Sequence, residues 1–420
     1  MSSQQALEST KKQLQQIAPT VQWGSLDVFQ RQFCESFSNN IRLLAPAGSG
    51  KTQSLLWRCA EVYRRQDEKA RFLVVTFTRA ARDELRTRLS GKEFRGVADA
   101  TEVATLNAWG YRRIRAHHHS PRLLTTERDK NYCAQNALQP VWRAHARIES
   151  AMKGQPYVVG PVLMNVIERL KMLGFRHPAD DRRSFVTNAK RLCNLGLDHL
   201  LAESIHELHE LGILERVTME GLIEEFVPFW GQACETMIEQ SLFTLEDQKY
   251  VALLDLQRQL AERRLPIGGS RLTHVLVDEF QDINPLDLEL IKAIVQINKS
   301  ELTIVGDDDQ AIFEWRGASP NYILTPDSHF GRPFDTYILE RNYRCPRNLV
   351  EASQRLIVRN TRRQPKRVEP VNPEDARVTV ISRENFTAGW KRTGKATRGG
   401  SYPKLNRRRR RANGHGATCR

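Results

Sequence analysis

Ala45-Pro46-Ala47-Gly48-Ser49-Gly50-Lys51-Thr52 has the residue pattern of a phosphate-gripping loop. An apolar run, Ile41 to Leu44, precedes it and reads as a buried strand. Behind it, Leu55, Leu56, Cys59, Val62 and Tyr63 fall on one stripe of a helix. Strand, loop and helix in that order are the context such a loop needs. Backbone N–H groups of Ala47, Gly48, Ser49 and Gly50 then face phosphates at the helix N-terminus, Lys51 reaches the terminal ones, and Thr52 holds Mg²⁺. Ala45 stands where the strict pattern begins with Gly, and Pro46 follows it.

Working outward, three more apolar runs read as buried parallel strands: Phe72–Thr76, His274–Val277 and Leu302–Val305. Each leads into a loop and a helical pattern, so the fold class is α/β, a parallel sheet with helices on both faces. Ligands of such sheets sit at the carboxyl ends of the strands. Between about 112 and 265 long amphipathic patterns take over, such as Val162 to Leu173 and Leu200 to Leu214, which predicts a helical insertion. A shorter strand, Thr336 to Leu339, a helix, Asn348 to Val358, and a last strand, Arg377 to Ile381, follow.

With 420 residues, 40% hydrophobic and 27% charged, the chain has material for about two or three globular domains. No run of 18 uncharged apolar residues occurs and the polar start has no signal-peptide core, so a cytoplasmic location is the default expectation. The seven cysteines are widely spaced without a C-x-x-C pair, which argues against a zinc site or disulfide framework. His117-His118-His119 reads as a solvated loop rather than a metal site, because no ligand cluster lies nearby in sequence. A formal net charge of +15 points to a nucleic-acid partner, yet residues 387–420 hold eleven Lys or Arg and no Asp or Glu.

Chemistry is concentrated at the strand ends. Asp278-Glu279-Phe280-Gln281-Asp282 follows His274–Val277; Asp278 suits Mg²⁺ and Glu279 suits activation of a water. Val305-Gly306-Asp307-Asp308-Asp309-Gln310 ends another strand, and Gln310 is an uncharged group able to sense a γ-phosphate. Phe313, Trp315 and Arg316 lie just beyond. A Trp beside an Arg reads either as a packed cation–π pair or as a stacking platform for a single-stranded base.

Together these motifs resemble those of UvrD/Rep/PcrA-type superfamily 1 DNA helicases, and they stand in that family's order over about residues 20 to 382. Gln30 matches the family's adenine-reading glutamine. Val75-Thr76-Phe77-Thr78-Arg79-Ala80-Ala81 resembles its motif that touches single-stranded DNA, and DEFQD, GDDDQAIFEWRGA and LERNYRCP resemble three later motifs. The resemblance implies a RecA-like fold, ATP and Mg²⁺ as ligands, and single-stranded or 3′-tailed duplex DNA as partner. It implies catalytic roles for Lys51, Glu279, Gln310 and the arginine finger Arg344, and lets Tyr343 stack on adenine. Thr76, Phe77, Thr78, Phe313, Trp315 and Arg316 become DNA-contact candidates. Three positions depart from the family: Pro46, Gln53 after Thr52, and Ala104-Thr105-Leu106-Asn107 in place of a Thr-Phe-His motif.

The implied organisation is an N-terminal helical extension (1–20), a first RecA-like domain in two pieces (21–111 and 266–330), the helical insertion (112–265), the start of a second RecA-like domain (331–384) and a basic disordered tail (385–420). The tail reads as a nucleic-acid tether, a solvated segment without a role, or an abrupt end of the reading frame. Its onset just after Ile381, in mid-domain, favours the last. The expected function is therefore the ATP-binding portion of a 3′→5′ DNA helicase or translocase, truncated and impaired in unwinding. A separate chain supplying the missing half is a candidate partner. The alternative is a non-enzymatic ATP- or single-stranded-DNA-binding remnant.

Overall fold

A computed structural model describes residues 26–176, 182–262 and 271–377. The expected N-terminal extension, nearly all of the strand at 377–381 and the basic tail lie outside the described residues.

In chain order, β1 (Asn40–Leu44), β2 (Phe72–Thr76) and β3 (Thr101–Thr105) are followed by a two-residue parallel pair in the insertion, β4 (Arg122–Leu123) with β5 (Leu242–Phe243). Next come β6 (His274–Val277), β7 (Glu301–Gly306) and β8 (Asp335–Ile338). Six of these form one sheet in the order β3-β2-β6-β7-β1-β8, parallel at every pairing. Every residue of β2 and β6 is buried, as expected of central strands covered on both faces. The α/β, RecA-like reading of the sequence is borne out, and all four strands expected from apolar runs are present.

The edges differ from expectation. β3 carries the sequence Thr-Glu-Val-Ala-Thr, with Val103 and Ala104 its buried residues, so it offers no continuous apolar run to read. β8 was expected to open a second domain. Instead it completes the first sheet, pairing with β1 from Ile41 opposite Asp335 to Leu44 opposite Ile338. Arg42 fastens this edge: its Nε donates to the Thr336 hydroxyl (3.0 Å) and its Nη1 to the Ile323 carbonyl (3.1 Å). The expected boundary at 330/331 lies in the turn just before β8, a strand that pairs with β1.

The insertion is helical as expected; Pro156–Met172, Arg182–Leu195, Asp198–Glu210, Val227–Glu239 and Asp247–Ala261 are its longer helices, each with several buried residues. It joins the sheet through charge as well as apolar packing. Lys171 Nζ lies 2.6 Å from Asp247, with 1% and 2% of their side chains exposed. Lys249 lies 2.8 Å from Asp287 on the helix Pro285–Asn298, which flanks the sheet. Removing one partner of such a pair leaves an uncompensated buried charge.

After β8 the chain forms a separate parallel pair, β9 (Arg341–Pro346) with β10 (Glu369–Asn372), linked by the helix Arg347–Ile357. The six described cysteines are free thiols. Among the described residues no helix is long and apolar enough to cross a membrane.

Candidate nucleotide site and aromatic platform

The phosphate loop leaves the end of β1, where the Ala45 N–H donates to the Gly306 carbonyl on β7 (2.9 Å). It turns through Gly48 at φ +75° and Gly50 at φ +82°, left-handed values that glycine adopts without steric cost. Gly50 caps the 15-residue helix Lys51–Arg65, so the loop's N–H groups and the positive end of the helix face the same space. Ser49 is buried and its Oγ has no partner. Gln30 is held against this loop: its amide donates to the Ser49 carbonyl (3.1 Å), and it closes a reciprocal capping box with Asp27. Thr52 follows Lys51 in the first turn of the helix, partly exposed.

The carboxylates stand at the end of β6. Lys51 Nζ donates to Glu279 Oε2 at 2.6 Å, joining two residues 228 positions apart. Glu279 itself sits at φ +51°, a left-handed value uncommon for a non-glycine residue and characteristic of functional turns. Burial works against its charge, but the Lys51 ammonium and the Gln281 amide (2.9 Å) outweigh that and hold its carboxyl below the usual range. Asp278 is 5% exposed and pushed up to about 6, by burial first and by Glu279 second, against the pull of Lys51. A strand-end carboxylate with this little solvation, and among the described residues only the Glu279 N–H as hydrogen-bond donor (2.9 Å), is a fitting divalent-cation ligand. The donor set around the loop therefore fits a magnesium–nucleotide.

At the end of β7, Gln310 Nε2 donates to Asp307 Oδ2 (2.6 Å). Asp307, Asp308 and Asp309 place carboxylate oxygens within 4.8 Å of one another. Their shared cation is an amino-acid side chain: Lys366 Nζ lies 2.9 Å from Asp307 and 3.0 Å from Asp309 and bonds Asp308 as well. Arg363 pairs with both oxygens of Asp309 (2.8 and 2.7 Å). Neither Lys366 nor Arg363 was singled out from sequence, where they lie in the stretch Arg362-Arg363-Gln364-Pro365-Lys366-Arg367.

β9 lies directly on the phosphate loop. Asn342 Nδ2 donates to the Ala47 carbonyl (2.7 Å) and the Tyr343 N–H to the Gly48 carbonyl (2.8 Å). A Cβ added to Gly48 would stand 2.6 Å from the Arg344 Cβ, so the close approach of β9 depends on glycine there. Arg344 is exposed beside the loop, and the Tyr343 hydroxyl donates to Asp27 Oδ2 (2.6 Å) next to Gln30. Gln30, the loop with Lys51, Glu279, and Tyr343 with Arg344 are thus gathered from four separate stretches of chain.

The DNA-contact candidates gather at the same end of the sheet. Trp315 is 67% exposed and meets Phe313 edge-on with ring centroids 6.3 Å apart. The Arg316 guanidinium lies 5.6 Å from the Phe77 ring and 5.8 Å from that of Trp315. The cation–π contact of the Trp-Arg pair is present, and the Trp315 side chain stays largely exposed. Thr76 and Thr78 take supporting positions: Thr76 is buried and donates to the Thr78 carbonyl (3.2 Å), and Thr78 caps the helix Arg79–Leu89. Asn107 spends its amide on the Leu245 carbonyl of the insertion (2.9 Å).

Residues 26–331 match the family described as the UvrD/REP helicase N-terminal domain. The chain is 25% identical over 353 residues to the ATP-dependent DNA helicase PcrA of Leuconostoc citreum, covering 83% of this chain and 41% of that protein. It is 26% identical over 340 residues to the ATP-dependent DNA helicase Rep of Buchnera aphidicola, covering 80% and 45%. With Rep of Escherichia coli it shares 34% identity over 116 residues, 28% of this chain and 17% of that protein. The chain thus spans less than half the length of these relatives. Over most of its described length, and with the loop, the strand-end carboxylates and the β9 motif in one cluster, the chain belongs to the UvrD/REP helicase N-terminal domain family.

Proposed function

We propose that this chain is the ATP-binding portion of a DNA translocase or helicase, coupling hydrolysis of magnesium–ATP to its grip on single-stranded DNA. The observation that carries the reading is the Lys51–Glu279 pair at 2.6 Å under the β9 segment. It puts a phosphate-gripping cation, a general base and an arginine from a different stretch of chain around one loop. The substrate nucleotide carries the scissile phosphoanhydride; Thr52 and Asp278 would hold Mg²⁺, which would supply charge to polarise it. Lys51 then exchanges its bond to Glu279 for phosphate oxygens, which frees the Glu279 carboxylate to take a proton from water. Because its carboxyl is held below the usual range, Glu279 is in the basic form at neutral pH. Gln310 orients water or senses the γ-phosphate. Arg344 acts as the arginine finger, a group whose contribution is about 10³–10⁵ in rate where it operates. Gln30 and Tyr343 bracket the adenine.

Phe77, Phe313, Trp315 and Arg316 form the platform on which bases of single-stranded DNA stack, each at about 1–3 kcal/mol. The 3′→5′ direction and the 3′-tailed duplex substrate belong to the same proposal and are supported by the family's motif order. A separate protein chain as partner is supported by exposed apolar residues around β9–β10, among them Leu356, Val358 and Val371.

Phosphate release by the purified chain tests the core of the reading. Glu279→Gln is expected to lower kcat by about 10²–10⁴ while ATP binding persists. Hydrolysis that survives Glu279→Gln would remove Glu279 from the chemistry, and no hydrolysis by a wild type still able to bind single-stranded DNA would favour a non-enzymatic binding module.

A further inference from the structure

The acidic turn after β7 stands between the nucleotide site and the segment beyond the helix Arg347–Ile357. Five hydrogen bonds run through it without a gap. Lys51 donates to Glu279 (2.6 Å), and the Gln281 amide donates to the same Glu279 oxygen (2.9 Å). The other end of Gln281, its Oε1, accepts the backbone N–H of Asp307 (3.0 Å). The Asp307 carboxylate then divides its two oxygens: Oδ2 accepts from Gln310 (2.6 Å) and Oδ1 from Lys366 (2.9 Å). Gly306 makes this possible, since a Cβ there would strike Gln281 Oε1 and the Ile323 side chain.

Lys366 is not an incidental surface cation. Its side chain is 1% exposed, and those of Asp307 and Asp308 are 5% and 0% exposed. Its neighbours repeat the contact: the Gln364 N–H donates to Asp308 Oδ2 (2.8 Å) and Arg363 grips Asp309. Three successive carboxylates are thus each held by the segment 363–366. Exposed ion pairs contribute little, whereas pairs withdrawn from water fix geometry, because any displacement leaves a buried charge unsatisfied.

We propose that Lys366 is a positioning residue for ATP hydrolysis: by holding Asp307 it sets the orientation of Gln310 and, through Gln281, of Glu279. The proposal rests on the function inferred above. It makes the segment 363–366, which precedes β10, the element through which movement beyond β9 reaches the hydrolytic groups. Displacing that segment withdraws Lys366 from Asp307, and Gln310 then loses the fixed carboxylate on which it is aimed.

The test compares wild type with Lys366→Arg, Lys366→Met and the charge-balanced pair Lys366→Met/Asp308→Asn, which keeps the buried charge count even if the single variant folds poorly. Two readouts are taken, steady-state phosphate release in single-stranded DNA and hydrogen exchange of the peptides spanning 277–282 and 306–311. In the methionine variants kcat is expected to fall about tenfold or more with KM for ATP within about twofold, the pattern of a lost transition-state alignment. Exchange should rise in both peptides, and Lys366→Arg should restore most of each effect. A parallel rise in KM and fall in kcat, with exchange raised across the whole sheet, would assign Lys366 a merely structural role and overturn the proposal. So would unchanged kcat and unchanged exchange at 277–282. If the wild type shows no Lys51-dependent hydrolysis, the proposed function fails first, and the exchange data alone decide whether Lys366 controls the turn.

Discussion

In the proposed function the chemistry turns on Lys51 and Glu279, and each stands out because its neighbours in sequence announce it. The loop pattern identifies Lys51, and an acidic pair ending an apolar strand identifies Glu279. What the sequence does not disclose is their direct pairing, since it depends on β1 and β6 standing two strands apart across β7. Asp282 shows the same limit. Its acidity is invisible in the motif, yet burial first and Glu279 second push it up to about 7. A carboxyl whose folded value lies above its unfolded one binds more protons in the native state. Its contribution to stability is therefore greatest below about pH 4 and is lost as pH rises towards 7. Asp282→Asn should raise stability by on the order of 1–2 kcal/mol above pH 7 and by far less at pH 4. Thermal unfolding at the two pH values checks this, and an equal shift at both would remove the titration argument.

At the scale of elements, the central strands and the motif-bearing loops followed from apolar runs and their ends. β3 did not, because an edge strand is covered on fewer sides and need not be uniformly apolar, while β8 was expected as a strand but not as part of this sheet. Nothing in the sequence Asp335-Thr336-Tyr337-Ile338 marks which sheet it joins; the parallel pairing with β1 decides it. The seat of β9 on the phosphate loop is a matter of backbone approach. Gly48→Ala would strain a φ of +75° and push a Cβ against Arg344. It should cost about 1–2 kcal/mol in stability and weaken ATP binding about tenfold or more. Full ATP affinity in that variant would show that β9 can withdraw freely. The insertion's ionic core was equally hidden, because Lys171 and Asp247 are 76 positions apart and neither belongs to a motif. Lys171→Met should destabilise the chain by about 3–5 kcal/mol, because it leaves Asp247 buried and unpaired. Denaturant unfolding should show that Lys171→Met/Asp247→Leu recovers part of the loss.

For the molecule as a whole, the account is one of two ligand sites served by the same sheet ends. β6 and β7 carry Asp278, Glu279 and Gln310, and the loop that continues from β7 carries Phe313, Trp315 and Arg316. Arg316 reaches back to Phe77 at the end of β2, so the platform is braced by two strand ends rather than hanging from one loop. Occupancy of the platform is therefore expected to bear on the hydrolytic groups. The most direct measurement is the rate of phosphate release as single-stranded DNA is titrated into the purified chain, with Trp315→Ala alongside. The account predicts a saturable rise in rate that Lys51→Ala abolishes, and that Trp315→Ala moves to higher DNA concentration by about tenfold, in line with the loss of one stacked base. A rate indifferent to DNA in the wild type, while the DNA is demonstrably bound, would contradict it.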